Sequence, residues 1–439
     1  MKMKTLAASM LATTISGFAV GAPTPADVEQ SFYPYKDWTP QVEGLTAGMT
    51  LTSENVDQYK DALEPGMYRY IKDGWYDMKV GETTSFDLHP NYVQATLDGL
   101  GAVSLGEELG QINGWVAGRP FPEEPDMNDP RAGEKLAWNY KYGYNWGDNG
   151  AINPFYWKYR NAATGEIERT LKFNFHFLNY MGRVNQDPTP AIEPNPSDIF
   201  RGIYVQVLAP FDVKNTQLLI QRSADDQQRD NAWLYLGFQR RVRRLATGQV
   251  TDSFLGADIM IEDFEGYNGR VSDMNWSYKG TVNVMLPFYN HNEQNLVDAD
   301  PDDPEDDGYQ FVNYVGQGGC FPDVSWQLRK AYVLESVPVD PNHPIGKRVH
   351  YIDAQTYTIP RTNIYDRAGE LWKSFVIGQA EPDSHHPLNV GSGVSIDDAF
   401  MMLDVQAQHC TTGQFKGLLV PELNPVSLFT PQNMRATGR

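Results

Sequence analysis

Leu171-Lys172-Phe173-Asn174-Phe175-His176-Phe177 places a large apolar side chain at every second position and a polar one between. Side chains of an extended chain alternate between two faces, so this stretch reads as a strand with one face buried. Further strands read at Ile203–Leu208, Gln217–Gln221, Trp233–Gly237 and Arg241–Leu245. Later ones read at Val282–Leu286, Ala331–Val337, Arg348–Ile352, Tyr357–Tyr365 and Glu370–Gly378. Turn residues separate them at regular spacing. The clearest hairpin is Tyr365-Asp366-Arg367-Ala368-Gly369-Glu370-Leu371-Trp372, in which Gly369 supplies the left-handed position that a short loop wants. Such a succession predicts one large antiparallel sheet in a mainly β (α+β) fold. Strand twist accumulates, so a sheet of this length must curl or close. Its concave face then carries every second side chain, such as Trp233, Tyr235 and Leu245 or their strand neighbours. That face is either a packed core or a ligand surface.

Upstream the pattern changes. Ser53 to Leu63 predicts a helix, with Ser53 as cap, Val56, Tyr59 and Leu63 on one side, and Glu64-Pro65-Gly66 as its end. Residues 91–98 predict a second short helix, and the chain from there to about Tyr159 reads mostly as loop. The organisation expected is a leader over 1–22, a helix- and loop-rich extension over 23–165, and the curved sheet over 166–439, continuous with the extension.

The leader rests on Lys2 and Lys4, an apolar run from Thr5 to Val20, and small residues at Val20-Gly21-Ala22. This is the pattern of a secretory signal peptide cleaved near Ala22, and it predicts a periplasmic protein. No cysteine follows the cleavage site and no twin arginine precedes the run. Lys and Arg number 36 against 56 Asp and Glu, a formal net charge of −20. Such a balance disfavours nucleic acid, which needs a basic footprint, and any general affinity for anionic membranes. Cys320 and Cys410 are the two cysteines. In an oxidising compartment two thiols most often form one disulfide, the alternative being two buried free thiols.

Several segments together resemble a known superfamily. Asn231-Ala232-Trp233-Leu234-Tyr235-Leu236, Arg240-Arg241-Val242-Arg243-Arg244-Leu245, Phe254-Leu255-Gly256-Ala257-Asp258 and Ile261-Glu262-Asp263 are similar to the central pattern of LolA/LolB-like proteins. Tyr332 to Pro338, Tyr351-Ile352-Asp353 and Ile364 to Gly369 resemble the strands that follow. Asn55 to Lys60, Gly118-Arg119-Pro120-Phe121-Pro122, Ala137-Trp138-Asn139 and Asp404 to Thr411 resemble a large, poorly characterised periplasmic family with that fold. The resemblance implies an open, strongly curved antiparallel half-barrel whose concave side is plugged by helices. It also implies a sheltered lipid or other hydrophobe, with an RND-type exporter and an outer-membrane protein as partners. The ligand-binding residues it points to are Trp233, Tyr235 and Phe254, with Arg240, Arg241, Arg243 and Arg244 near the mouth.

The four arginines stand out in an acidic chain. Arginine binds carboxylate or phosphate bidentately, which suits a headgroup clamp or a docking patch. The plainer account pairs them with Asp258, Glu262 and Asp263 on neighbouring strands. The acidic run Asp298 to Asp307 is either a solvated loop or a calcium loop, although it lacks the alternation and glycine of a hand-type site. His343, His350, His385, His386 and His409 form no spaced metal set and read as surface or hydrogen-bonded residues. There is no Gly-x-Ser-x-Gly elbow, phosphate loop or GxGxxG, so no residue is assigned a catalytic role, and no metal or cofactor is expected. The sequence thus points to a carrier rather than an enzyme. A periplasmic hydrolase using paired carboxylates and a structural subunit of an envelope complex are the alternatives.

Overall fold

The computed structural model describes residues 22–237, 239–245, 251–419 and 423–438. The expected leader therefore lies, apart from Ala22, outside the described residues. Among the described residues no helix is long and apolar enough to cross a membrane.

The dominant element is a 16-stranded sheet. Its strands are β1 (Thr50–Leu51), β2 (Met78–Val80), β3 (Asn149–Asn161), β4 (Ile167–Asn179), β5 (Ile199–Ala209), β6 (Gln217–Ser223), β7 (Asn231–Leu236) and β8 (Arg241–Arg244). They continue with β9 (Met274–Leu286), β10 (Phe288–Tyr289), β11 (Ser325–Pro338), β12 (Ile345–Asp353), β13 (Arg361–Asp366), β14 (Leu371–Ala380), β15 (Ile396–Asp404) and β16 (His409–Leu418). The order is β1-β2-β11-β12-β13-β14-β15-β16-β3-β4-β5-β6-β7-β8, with β9 beside β11 and β10 beside β14. Two antiparallel meanders, β3–β8 and β11–β16, are thus joined where β16 pairs with β3. The sheet is strongly curved and does not close: β8 is one free edge, while β9 and the short β1–β2 pair lie at the other. This is the open half-barrel that the resemblance implies.

Strand β4 shows why the sheet curls over a core. Leu171, Phe173, Phe175 and Phe177 are all buried on one face, in register with Phe155 and Trp157 of β3 and with Ile203, Val205 and Val207 of β5. The β3–β4 register slips between Ile152 and Phe155, around Pro154. Proline has no amide hydrogen for the ladder, so the strand bulges there, and bulges sharpen curvature. The β13–β14 hairpin forms as expected: Gly369 has φ +84, and the Asp366 carboxylate accepts from the Ala368 and Glu370 amides.

The helices are α1 (Pro25–Phe32), α2 (Pro65–Lys72), α3 (Pro90–Asp98), α4 (Ala132–Lys141), α5 (Pro382–His385) and α6 (Pro431–Thr437). Two local expectations are corrected. Val56–Ala62 is a 3-10 helix, and Glu64-Pro65-Gly66 starts a helix as well as ending one. The Glu64 carboxylate accepts from the Gly66 and Met67 amides at 2.7 and 2.6 Å, and Pro65 occupies the first helical position, where its missing donor costs nothing. The stretch to Tyr159 read as loop holds α4 and most of β3. Helix α4 lies so close to β9 that a Cβ on Gly133 would sit 2.7 Å from the Ser277 nitrogen. The strand expected from Tyr357 begins only at Arg361, because Tyr357 is in a turn with φ +57. The expected boundary at residues 165/166 falls in the turn between β3 and β4.

What fills the concave side follows from the strand order. Strand β8 ends at one free edge and β9 begins at the other, so the connection between them must cross. The described part of this crossing segment, residues 251–273, lies on the inner face as short 3-10 turns. Its Phe254 and Phe264 pack edge-on against Trp157. Helix α4 fills the adjoining space, burying Leu136 and Trp138 in one cluster with Trp276 of β9, Tyr332 of β11 and Phe200 of β5. On the outer face α6 covers Leu219 and Tyr235, while the chain from β10 to β11 covers β15 and β16. Cys320 and Cys410 are joined by a disulfide that ties this outer cover to β16.

Candidate functional site

A cleft of about 640 Å³ lies at the gap between the two sheet edges. Leu218 and Ile220 of β6, Ala232 of β7 and Leu245 form one wall; Val339, Asn342, His343 and Pro344 of the β11–β12 turn form the other. The floor is the crossing segment, with Ile261, Glu262 and Asn268 to Asp273. The cleft is therefore two-sided in chemistry, apolar along β6–β7 and polar around its rim. Most rim charges are already paired. Arg222 pairs with Asp230, and Arg270 with Asp273. His343 Nε2 lies 2.9 Å from a Glu262 oxygen, and the buried Arg348 of β12 donates to Glu262 at 2.9 Å and to Asp263 at 2.8 Å. Burial alone would raise the Glu262 pKa; Arg348 and His343 outweigh it and hold the carboxyl at about 2. Arg229 is the exception among the rim cations: it is exposed and has no hydrogen bond or ion pair among the described residues.

Deeper on the concave side lies a void of about 40 Å³ lined by Phe155, Phe175, Phe177, Phe400, Phe415 and Phe264. Two carboxylates, Glu265 and Asp397, reach it. Arg201 pairs with Glu265 at 3.3 Å, and Gln379 donates to Asp397 at 2.6 Å. Burial and the charge of Glu265 push Asp397 up to about 7. Glu265 has φ +58, an orientation that non-glycine residues rarely take, and it also lines the polar pocket with Arg201, Arg222 and Lys141. It is the boundary between the aromatic void and the polar side.

The residues singled out in the sequence are placed as follows. Phe254 is buried on the inner face, 5.8 Å from the Trp157 ring. Trp233 and Tyr235 are on the outer face, a correction to their expected concave position: they pack with Leu219, Tyr204 and the C-terminal Met434, and the Tyr235 hydroxyl donates to the Gly438 carbonyl. The register decides this, because Ala232 stands opposite Ile220 of the inner face, which turns its neighbour Trp233 outward. Arg241 and Arg243 share the inward face of edge strand β8 with Leu245, Arg244 bonds Asn231, and Arg240 sits in the β7–β8 turn at φ +50. The pairing of these arginines with Asp258, Glu262 and Asp263 is overturned. Asp258 is held by His409 and Thr411, and the other two by Arg348. Arg240, Arg241 and Arg243 have no ion pair among the described residues. In the acidic run, Asp303 bonds Lys172 and Tyr156, and Asp307 bonds Lys416, so lysines engage part of it.

Sequence spacing missed one constellation entirely. His291, His385 and Asp398, from three separate elements, are buried together. His291 Nδ1 lies 2.8 Å from Asp398, and its Nε2 lies 3.1 Å from the Gln310 carbonyl. Both partners only accept, so His291 is an imidazolium. Burial opposes that charge, but Asp398 outweighs it and raises the His291 pKa. Asn389 donates to the Gly417 carbonyl and accepts from the Leu419 amide, which fixes its amide group as donor toward His385 Nδ1. His385 Nε2 lies 3.1 Å from Asp398 and 2.8 Å from the Tyr309 hydroxyl. The trio has the residue types of a metal centre, and both histidines are engaged by hydrogen bonds within the protein. A raised folded pKa contributes stability that is present below the unfolded value of about 6.5 and lost as pH rises through the folded value. Thermal midpoints are expected to fall as pH is raised above neutrality, and to fall less in His291→Gln. His409, also raised by Asp258, and Asp397, raised to about 7, add to this fall. Melting curves from pH 5.5 to 9 check this, and an unchanged slope in the variant would contradict it.

A crystal structure of a DUF1329 family protein from Desulfovibrio piger is similar at 16% identity and a TM-score of 0.47, covering 70% of this chain and 100% of that one. A LolA superfamily protein from Nitrosomonas europaea is similar at 11% identity and a TM-score of 0.37, covering 65% of this chain and 91% of that one. In sequence, the chain is 25% identical over 350 residues to an uncharacterized protein of Pseudomonas aeruginosa, covering 78% of this chain and 70% of that protein. The family described as protein of unknown function (DUF1329) matches residues 50–435, nearly the whole described chain, and the protein belongs to it.

Proposed function

We propose that the protein is a periplasmic carrier of an amphiphilic lipid or similar hydrophobe and has no catalytic role. The observation that carries this reading is the mouth cleft, with an apolar wall of Leu218, Ile220, Ala232 and Leu245 and an uncommitted cation, Arg229, on its rim. An acyl chain laid along that wall gains on the order of 25 cal/mol per Å² of apolar surface removed from water. Arg229 then meets an anionic headgroup, and Arg241 and Arg243 continue the same inward face at the sheet edge. The leader read at residues 1–22 supports a periplasmic location. An RND-type exporter and an outer-membrane protein are the partners this reading invokes for loading and delivery.

The first test is native mass spectrometry of protein isolated from the periplasm, followed by organic extraction. A stoichiometric hydrophobe supports the reading and names its class, whereas an empty protein that also takes up no fluorescent fatty acid sinks it. Headgroup recognition is tested separately. Arg229→Glu is expected to weaken binding of a fluorescent fatty acid by about tenfold, as a lost charge-assisted hydrogen bond would, and to leave its uncharged methyl ester unaffected. Equal losses for both would remove Arg229 from the site.

A further inference from the structure

One end of the sheet is unlike the rest of this acidic protein. The β5–β6 turn, residues 210–216, and the described residues of the β7–β8 turn, Gly237, Gln239 and Arg240, emerge at the same end. They touch, for a Cβ on Gly237 would sit 2.6 Å from the Lys214 carbonyl oxygen. Phe211, in the first turn, is 94% exposed, the most exposed large apolar side chain among the described residues. Around it, residues 210–216 and 236–245 carry Lys214, Arg240, Arg241, Arg243 and Arg244 against the single carboxylate Asp212. Asp212 is itself occupied by Arg169. Lys214, Arg240, Arg241 and Arg243 have no ion pair among the described residues. A protein of net charge −20 has ample carboxylate to neutralise surface cations, yet leaves these open.

A fully exposed aromatic is costly to leave in water and gains on entering an apolar boundary. Uncommitted cations beside it gain from an anionic surface, by about 1 kcal/mol each near a charged bilayer. The combination matches a lipid interface, where apolar boundary and negative charge lie within a few ångströms of each other. The net charge of −20 repels such a surface, and the open cations of this end oppose that repulsion locally. Strand β8 runs from this end directly to Leu245 in the cleft wall.

We propose that the end of the sheet formed by these two turns docks on an anionic phospholipid surface, with Phe211 entering the interface and Lys214 and Arg240 facing the headgroups. The surface is independent of what the cleft binds, and its failure is separable from the failure of the carrier reading.

The test is co-sedimentation of the full chain with vesicles of phosphatidylglycerol mixed with phosphatidylethanolamine, and with vesicles of phosphatidylcholine alone. The expected result is partitioning onto the anionic vesicles at least tenfold stronger, weakened by added salt. Lys214→Glu with Arg240→Glu is expected to lower that partitioning by tenfold or more, each reversal removing and opposing about one headgroup attraction. Phe211→Ser should lower it by about tenfold, as the loss of one buried aromatic would. All three residues are at the surface, so the circular dichroism and melting midpoint of these variants should match the wild type and show that they are folded. Equal binding to both vesicle types, no binding to either, or undiminished binding by the variants would overturn the proposal. Retention on immobilised polyglutamate without binding to vesicles would overturn it too, and assign this end to an acidic protein instead.

Discussion

Arg348→Met is expected to destabilise the protein by about 3–5 kcal/mol, the cost of leaving buried carboxylates without their counter-ion. Arg348 is fully buried on the inner face of β12 and ties Glu262 and Asp263 of the crossing segment to the sheet. Both carboxylates are buried as well, so the charge left behind has little water to turn to. The effect should be local before it is global. Hydrogen exchange in residues 254–266 should speed up more than in the β13–β14 ladder, because that segment loses its anchor while the sheet keeps its hydrogen bonds. Adding Glu262→Gln and Asp263→Asn should recover much of the loss, since a neutral trio has no unpaired charge. If exchange in 254–266 is unchanged, Arg348 does not hold the plug. The wild-type pair carries its own pH signature. Glu262 is depressed to about 2, so its contribution is present above the unfolded value of about 4.3 and is lost as pH falls toward the folded value. Urea midpoints between pH 5 and 2.5 measure it.

Replacing Cys320 and Cys410 together by alanine is expected to cost about 2–5 kcal/mol, because the bond closes a long loop and removes that freedom from the unfolded chain. The two residues are 90 apart in sequence and both fully buried. Alanine is the informative replacement, since serine would bury hydroxyls in an apolar cluster. Urea denaturation with and without a reductant separates the outcomes. The wild type should lose the same increment on reduction that the double variant lacks from the start, and the variant should not respond to reductant. A wild type indifferent to reductant would show that the bond contributes nothing to stability. The outer cover between β10 and β11 is the part expected to loosen, because Cys320 stands at its end and Tyr314 holds it elsewhere through the Phe400 and Gly413 carbonyls.

Much of this architecture was legible in the chain. Period-two alternation at Leu171 to Phe177, the Gly369 turn and the succession of later strands determine strands and hairpins, because both depend on residues near in sequence. The curl follows as well, since twist accumulates in any long sheet. The disulfide is expected from two cysteines in a chain whose first residues read as an export leader. Strand β3 was hidden because Asn149, Asn153 and Pro154 blur its alternation, and its place depends on β16, more than 200 residues away in sequence. Helix α4 was hidden because its sides meet different partners, β9 and β11 with Phe200, so no single apolar stripe marks it.

The site was less legible than the fold, for the same physical reason. The arginine-rich strand was visible, but its partners were misassigned, since a carboxylate near in sequence pattern is not a carboxylate near in space. Tertiary structure gave Glu262 and Asp263 to Arg348 and left Arg240, Arg241 and Arg243 without an ion pair among the described residues. It turned Trp233 and Tyr235 outward through a register that only pairing with β6 could set. It assembled His291, His385 and Asp398 from three elements, and it brought Phe211 beside the β7–β8 turn. By itself the sequence determined periodicity, turns and composition, which are local quantities. Which faces meet, which charges pair and where the concave side opens depend on long-range register, and only the folded chain decided those.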